Sequence, residues 1–149
     1  MKKNLYFAFC FLLSFLFVTF NSLEGFSQSN WNPIGLDVAG HNTMSGVEAS
    51  YQLSTCNGAD VVFVQLINHN AYAVTVEWYP AVFTQDHQWF KKETPADKKS
   101  VTLNANSQLD GDCSGTKPEM IILLSDFSVQ AINFFRYGAL NFSVTNAGQ

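Results

Sequence analysis

Short runs in which apolar and polar residues alternate, separated by turn signals, govern what this chain can fold into. Val47, Ala49, Tyr51 and Leu53 alternate with Glu48, Ser50, Gln52 and Ser54. A period of two sends successive side chains to opposite faces, which describes a strand with one face on a core and one in water. Cys56-Asn57-Gly58 follows, and Asn-Gly is a strong hairpin signal. Asp60 to Asn68 is rich in β-branched residues and apolar on both faces, as expected of a central strand. His69-Asn70 then turns the chain into Ala71 to Tyr79, where Tyr72, Val74, Val76 and Trp78 oppose Ala73, Thr75 and Glu77. The last two runs are expected to pair as an antiparallel hairpin, with Pro80 stopping the second strand or marking an edge.

Later segments are less regular. Val82 to Phe90 has no clear period, although Gln88-Trp89-Phe90 suits the start of a strand. Lys91 to Lys99 is a polar loop broken by Pro95, and Ser100 to Asn104 is a short strand with Val101 and Leu103 inward. Asn106 to Pro118 is turn chemistry, and Met120 to Leu124 is an apolar run expected to be a fully buried strand. Ser125 to Gly138 suits either an irregular strand or one helical turn, and Leu140, Phe142 and Val144 alternate in a closing strand. No helix-length periodic segment separates the strands, which argues against a parallel α/β sheet. The expected fold is all-β: one antiparallel β-sandwich of about seven strands over residues 46–149, after an irregular lead-in at 28–45.

Residues 1–27 have the pattern of an export signal. Lys2 and Lys3 supply the positive start, Leu5 to Phe20 the apolar run, and Gly25 and Ser27 the small residues before a cut ahead of Gln28. The run of sixteen residues is short for a bilayer span of about twenty. Cys10 lies inside it, where a lipid-anchoring cysteine would not be. The expected location is outside the cytoplasm, periplasmic or extracellular, with no membrane span after cleavage. Removing Lys2, Lys3 and Glu24 leaves six basic and eleven acidic residues, a net charge of −5. A domain so charged has no general attraction to nucleic acid. Without Cys10 the remaining cysteines are Cys56 and Cys113, an even pair expected to form a disulfide in an oxidising compartment.

The strand rhythm from Gly46 to Asn146 resembles that of small secreted immunoglobulin-like and fibronectin-type-III-like β-sandwich domains. In immunoglobulin domains a disulfide joins two facing strands over a buried tryptophan. Here Trp78 lies twenty-two residues past Cys56, too far for that spacing. Both cysteines also sit among turn residues, Thr55-Cys56-Asn57-Gly58 and Asp112-Cys113-Ser114-Gly115. The bridge is therefore expected to staple two loops at one end of the sandwich. The fold hosts many functions, so the resemblance implies no particular activity.

Groups for catalysis are sparse. There is no Gly-x-Ser-x-Gly turn to present a serine, and paired cysteines offer no thiolate. His41, His69 and His87 lack the spacing that sets two ligands on one metal. Asp110-Gly111-Asp112 is read as a turn, because the rest of a calcium loop is missing. No glycine loop suits a phosphate, so no metal or cofactor is expected. Glu48 and Glu77 sit on outward strand positions, where a pair of carboxylates about 5 to 10 Å apart would suit a glycosidase.

Two features suit binding. Lys91, Lys92, Lys98 and Lys99 concentrate four of the six remaining basic residues in one loop, with Glu93 and Asp97 between them. Such a loop can touch an acidic glycan, headgroup or protein, or can simply be a solvated turn that guards a sheet edge. In Trp78-Tyr79 and Trp89-Phe90, alternation sends one ring inward and one outward, and an outward ring can stack on a sugar or anchor a protein. The leading expectation is an exported, non-catalytic binding or interaction module whose partner is a protein or a glycan. The alternative is a carbohydrate-binding module using Trp89, supported by Tyr79 and the lysines. A third reading is a glycan-active hydrolase using Glu48 and Glu77.

Overall fold

Residues 30–148 are described by the computed structural model; the expected leader at 1–27, including Cys10, lies outside the described residues. Ten strands build two antiparallel sheets: β1 (Asn32–Pro33), β2 (Thr43–Met44), β3 (Val47–Cys56), β4 (Ala59–Asn68), β5 (Val74–Thr84), β6 (Trp89–Lys91), β7 (Lys99–Leu103), β8 (Gln108–Asp110), β9 (Ile121–Leu123) and β10 (Phe134–Asn146). The first sheet runs β1-β3-β4-β8, with β2 also on β3 and β9 also on β4; the second runs β10-β5-β6, with β7 also on β5. Alternation suggests about seven strands. The surplus comes from pieces two or three residues long, which are too short to show a period.

The hairpin of β3 and β4 follows directly from its sequence. The ladder closes at Cys56 opposite Ala59, and Asn57 and Gly58 turn the chain with φ of 51° and 82°. Both angles are left-handed, the conformation that Asn and Gly tolerate in a two-residue hairpin turn. The part of the lead-in that is described lies along β3. Asn32 pairs with Tyr51 and Thr43 with Glu48, while Ile34 is fully buried and donates its N–H to the Ala49 carbonyl at 3.0 Å.

The expected pairing of the run 60–68 with the run 71–79 does not occur. β4 is already paired with β3 on one side and with β8 and β9 on the other, so the chain crosses to the second sheet instead. Asn68 fixes the crossing from a buried position. Its side-chain amide donates to the carbonyls of Tyr72 at 2.9 Å and Asn104 at 2.8 Å, and its side-chain oxygen accepts the Asn70 N–H at 3.0 Å.

Pro80 does not stop its strand either, for β5 continues to Thr84. β7 pairs with residues 74–78 and β6 with 81–83, so Pro80 sits where one neighbour gives way to the other. Its carbonyl accepts the Lys92 N–H on that side at 3.1 Å. In a strand the N–H and C=O of one residue point the same way, so the missing donor lies on the Lys92 side, at the end of the β6 ladder, and the pairing of β5 with β10 is left intact.

The core fills the space between the sheets. Val62, Val64 and Leu66 of β4 face Val74, Val76, Trp78 and Val82 of β5, all at most 1 % exposed. The Trp78 indole N–H donates to the Tyr137 hydroxyl at 2.8 Å inside that core. Tyr51 packs edge-on against Phe134, with ring centres 5.9 Å apart. Met120 to Leu124 differs from a fully buried strand: only Ile121–Leu123 is extended, 3₁₀ turns flank it, and Leu123 is exposed. Cys56, the last residue of β3, is bonded to Cys113 in the loop after β8, with an S–S distance of 2.04 Å. The bridge stands at the β3–β4 turn end of the first sheet.

Candidate functional site

The outer face of the second sheet carries a cluster of aromatic rings around one arginine. Arg136 of β10, Phe83 of β5 and Trp89 of β6 stand on one rung, since Phe83 pairs with Arg136 on one side and Trp89 on the other. Phe83 and Trp89 have ring centres 4.9 Å apart, and the Arg136 guanidinium carbon lies 5.0 Å from the Phe83 ring and 5.2 Å from the Trp89 ring. These distances suit cation–π contact, which holds the guanidinium against the rings.

A β-bulge builds the cluster. The register shifts between Phe134 and Arg136, so Phe134 faces the core while Phe135 and Arg136 both remain exposed. Phe135 is 60 % exposed and meets Phe83 edge-on at 5.9 Å. A second bulge, between Leu140 and Ser143, carries Asn141 at φ 51°. It also separates Leu140 from Phe142: Leu140 pairs with Tyr79, whereas Phe142 is buried in the core. The even alternation of Leu140, Phe142 and Val144 on one face is corrected by this extra residue.

Trp89 reaches across the sheet. It starts on β6, passes the central strand and comes to Gly138 on β10, where a β-carbon would stand 3.0 Å from its Cη2 and Cζ3. Ala81 points outward yet is fully buried under this ring. Trp89 itself remains 40 % exposed, while Phe90, its neighbour, packs against the core. The ring is therefore fixed by the sheet beneath it and open to solvent.

Beside the ring lies a cleft of about 390 Å³ between β10 and the loop after β1. Its lining includes Trp89, Arg136, Leu140 and Tyr51, with Asp37 and Val38 of that loop. Asp37 shapes the loop. Its Oδ1 accepts the N–H groups of Ala39 at 2.9 Å and His41 at 3.0 Å, and its Oδ2 lies 2.6 Å from His41 Nδ1. The His41 side chain and then its backbone N–H hold the Asp37 carboxyl below the usual carboxylate value. Burial raises Tyr51, and the Arg136 charge pulls it the other way. A larger cleft of about 460 Å³ near the β5–β6 turn is lined by Thr84, Asp86 and Asn133 but by no cation and no exposed ring.

The residues singled out from sequence fall in different places. Trp89 lines the cleft. Tyr79 is half-buried on the same outer face but is not part of the cleft wall. Lys91 is exposed two residues beyond Trp89 on that same face. The other lysines turn elsewhere: Lys98 pairs with Glu77 at 2.7 Å, Lys92 lies 5.9 Å from the Phe127 ring, and Lys92 and Lys99 line a separate depression near Phe127. Glu48 and Glu77 are on different sheets, and each is engaged, Glu48 with His69 at 3.3 Å and Glu77 with Lys98. That placement removes the hydrolase reading. Among the described residues no group of three or more metal-binding side chains comes together, and no helix is long and apolar enough to cross a membrane. Phe83, Phe135, Arg136 and Gly138 are not among the site residues expected from sequence; the run Phe134-Phe135-Arg136, which breaks alternation, is a signal that could have marked Phe135 and Arg136, and no comparable signal marks Phe83 or Gly138.

No protein-family model matches the chain, and no curated protein matches it in sequence. Among solved structures it is similar to a DUF1425 family member from Shewanella sp. pv-4, with 13 % identity and a TM-score of 0.42, over 68 % of this chain and 78 % of that one. The likeness is a distant one.

Proposed function

We propose that the domain is an exported, non-catalytic binding module that takes a glycan on the outer face of its second sheet, with Trp89 as the stacking platform. The supporting observation is the state of that ring: anchored over Gly138 and Ala81, 40 % exposed, and forming one wall of a cleft that also offers Arg136 and Asp37. Sugar rings present C–H faces that stack on aromatic planes and hydroxyls that need hydrogen bonds at the rim. A pre-set ring beside polar groups meets both needs without reorganisation on binding.

Export through the leader at 1–27, with cleavage before Gln28, belongs to the same reading, as does one domain over 46–149. The connectivity supports an immunoglobulin-like assignment. A hairpin (β3, β4) lies in one sheet, the chain crosses to β5, returns to β4 through β8 and β9, and ends beside β5 as β10.

The test is a glycan array probed with mature protein, followed by calorimetry on whatever binds. Trp89→Ala should weaken binding by more than about tenfold, or about 1.4 kcal/mol, with an unchanged circular dichroism spectrum. Undiminished glycan binding by a folded Trp89→Ala protein would remove the platform role.

A further inference from the structure

We infer that the glycan is acidic and that Arg136 receives its carboxylate, an inference that rests on reading the Trp89 face as a glycan site. Arg136 is the only arginine of the chain. Acidic residues outnumber basic ones, yet the ion pairs among the described residues are His41–Asp37, His69–Glu48 and Lys98–Glu77. Arg136 is in none of them. Its guanidinium is instead held against the Phe83 and Trp89 rings. Stacking uses the face of a guanidinium and leaves its in-plane N–H fork free for a carboxylate.

The surroundings favour an anion at this point. Lys91 is a second exposed cation on the face, two rungs along the sheet from Trp89. The one carboxylate lining the cleft, Asp37, is occupied by two backbone N–H groups and by His41. It is therefore poorly placed to take the guanidinium. A uronic acid would lay its ring on Trp89 while its carboxylate meets the Arg136 fork. The protein as a whole repels polyanions, so the positive charge has to be local and directed, as Arg136 and Lys91 make it.

The experiment compares polygalacturonate, alginate and hyaluronan with their carboxyl-reduced forms, and with the neutral glucan laminarin and poly-glutamate, on mature protein. At least one uronate polymer should bind, its carboxyl-reduced form should bind about tenfold less tightly, and Arg136→Gln should erase that difference while Arg136→Lys keeps part of it. Laminarin or carboxyl-reduced polymers bound as well as uronates, with Arg136→Gln unaltered, would overturn the acidic ligand and leave the glycan site standing. Equal binding of poly-glutamate would assign the face to acidic polypeptide and overturn it too. Failure of the folded protein to bind any polysaccharide would overturn both readings.

Discussion

Trp89 rests on Gly138: a β-carbon at Gly138 would stand 3.0 Å from both Cη2 and Cζ3 of the indole, close enough that the ring would have to move by a few tenths of an ångström. The two residues belong to strands on opposite sides of β5, so the contact spans the sheet and sets the platform's height. Gly138→Ala should push the ring outward. Because the indole can yield into solvent, the loss of stability should be about 1 kcal/mol or less. Trp89 fluorescence should shift and glycan affinity should fall, by about fivefold or more. Unchanged emission and affinity would mean that the ring's seat on Gly138 does not matter.

Removing the Tyr137 hydroxyl should be more damaging to the fold than to the site. Tyr137→Phe leaves the buried Trp78 N–H without its acceptor, which costs about 1 to 3 kcal/mol. Urea unfolding measures this directly, and a loss below about 0.5 kcal/mol would indicate that another acceptor replaces the hydroxyl.

The disulfide closes a span of 57 residues. On the chain-entropy model the double variant Cys56→Ala, Cys113→Ala should lose up to about 4 kcal/mol in chemical unfolding. The bridge lies on the first sheet and the platform on the second, so any variant molecules that remain folded should keep their glycan affinity. Loss of affinity in folded protein would contradict that separation.

Acid should loosen the loop that carries Asp37 at the cleft beside Trp89. Asp37 is lowered from its ordinary value of 3.8 in the folded protein, chiefly by the His41 side chain and then by the His41 backbone. A carboxyl depressed by folding contributes stability that is full above 3.8 and is lost as pH falls through its folded value. Protection of the Ala39 and His41 amides, corrected for intrinsic exchange, should therefore hold above 3.8 and fall as pH drops below it. Asp37→Asn should lower that protection already at about pH 5 and remove its pH dependence. A variant with wild-type protection would show that the carboxylate does not hold the loop.

Local pattern was enough for the β3–β4 hairpin, because alternation and Asn57-Gly58 fix both register and turn there. It was also enough to send one ring of Trp89-Phe90 outward and one inward; the structure makes Trp89 the outward one. It failed wherever the outcome depended on which strand had a free edge. The runs 60–68 and 71–79 look like neighbours, but β3, β8 and β9 occupy β4, and β8 and β9 are far away in sequence. Bulges hid the rest of the site. Each adds one residue to β10 and shifts the period, so Arg136 could not be assigned a face from spacing alone. Pro80 misled for a related reason: its tolerance depends on a gap between two partners that pair with β5 in succession.

A residue-resolved NMR titration of mature protein with a uronate oligosaccharide tests the binding face most directly. Saturable shifts should appear at the Trp89 indole N–H, at the Arg136 side chain and along residues 136–140, while the buried Trp78 indole stays still. No saturable shift at Trp89 and Arg136, or shifts confined to the first sheet or to the 91–99 loop, would contradict the assignment.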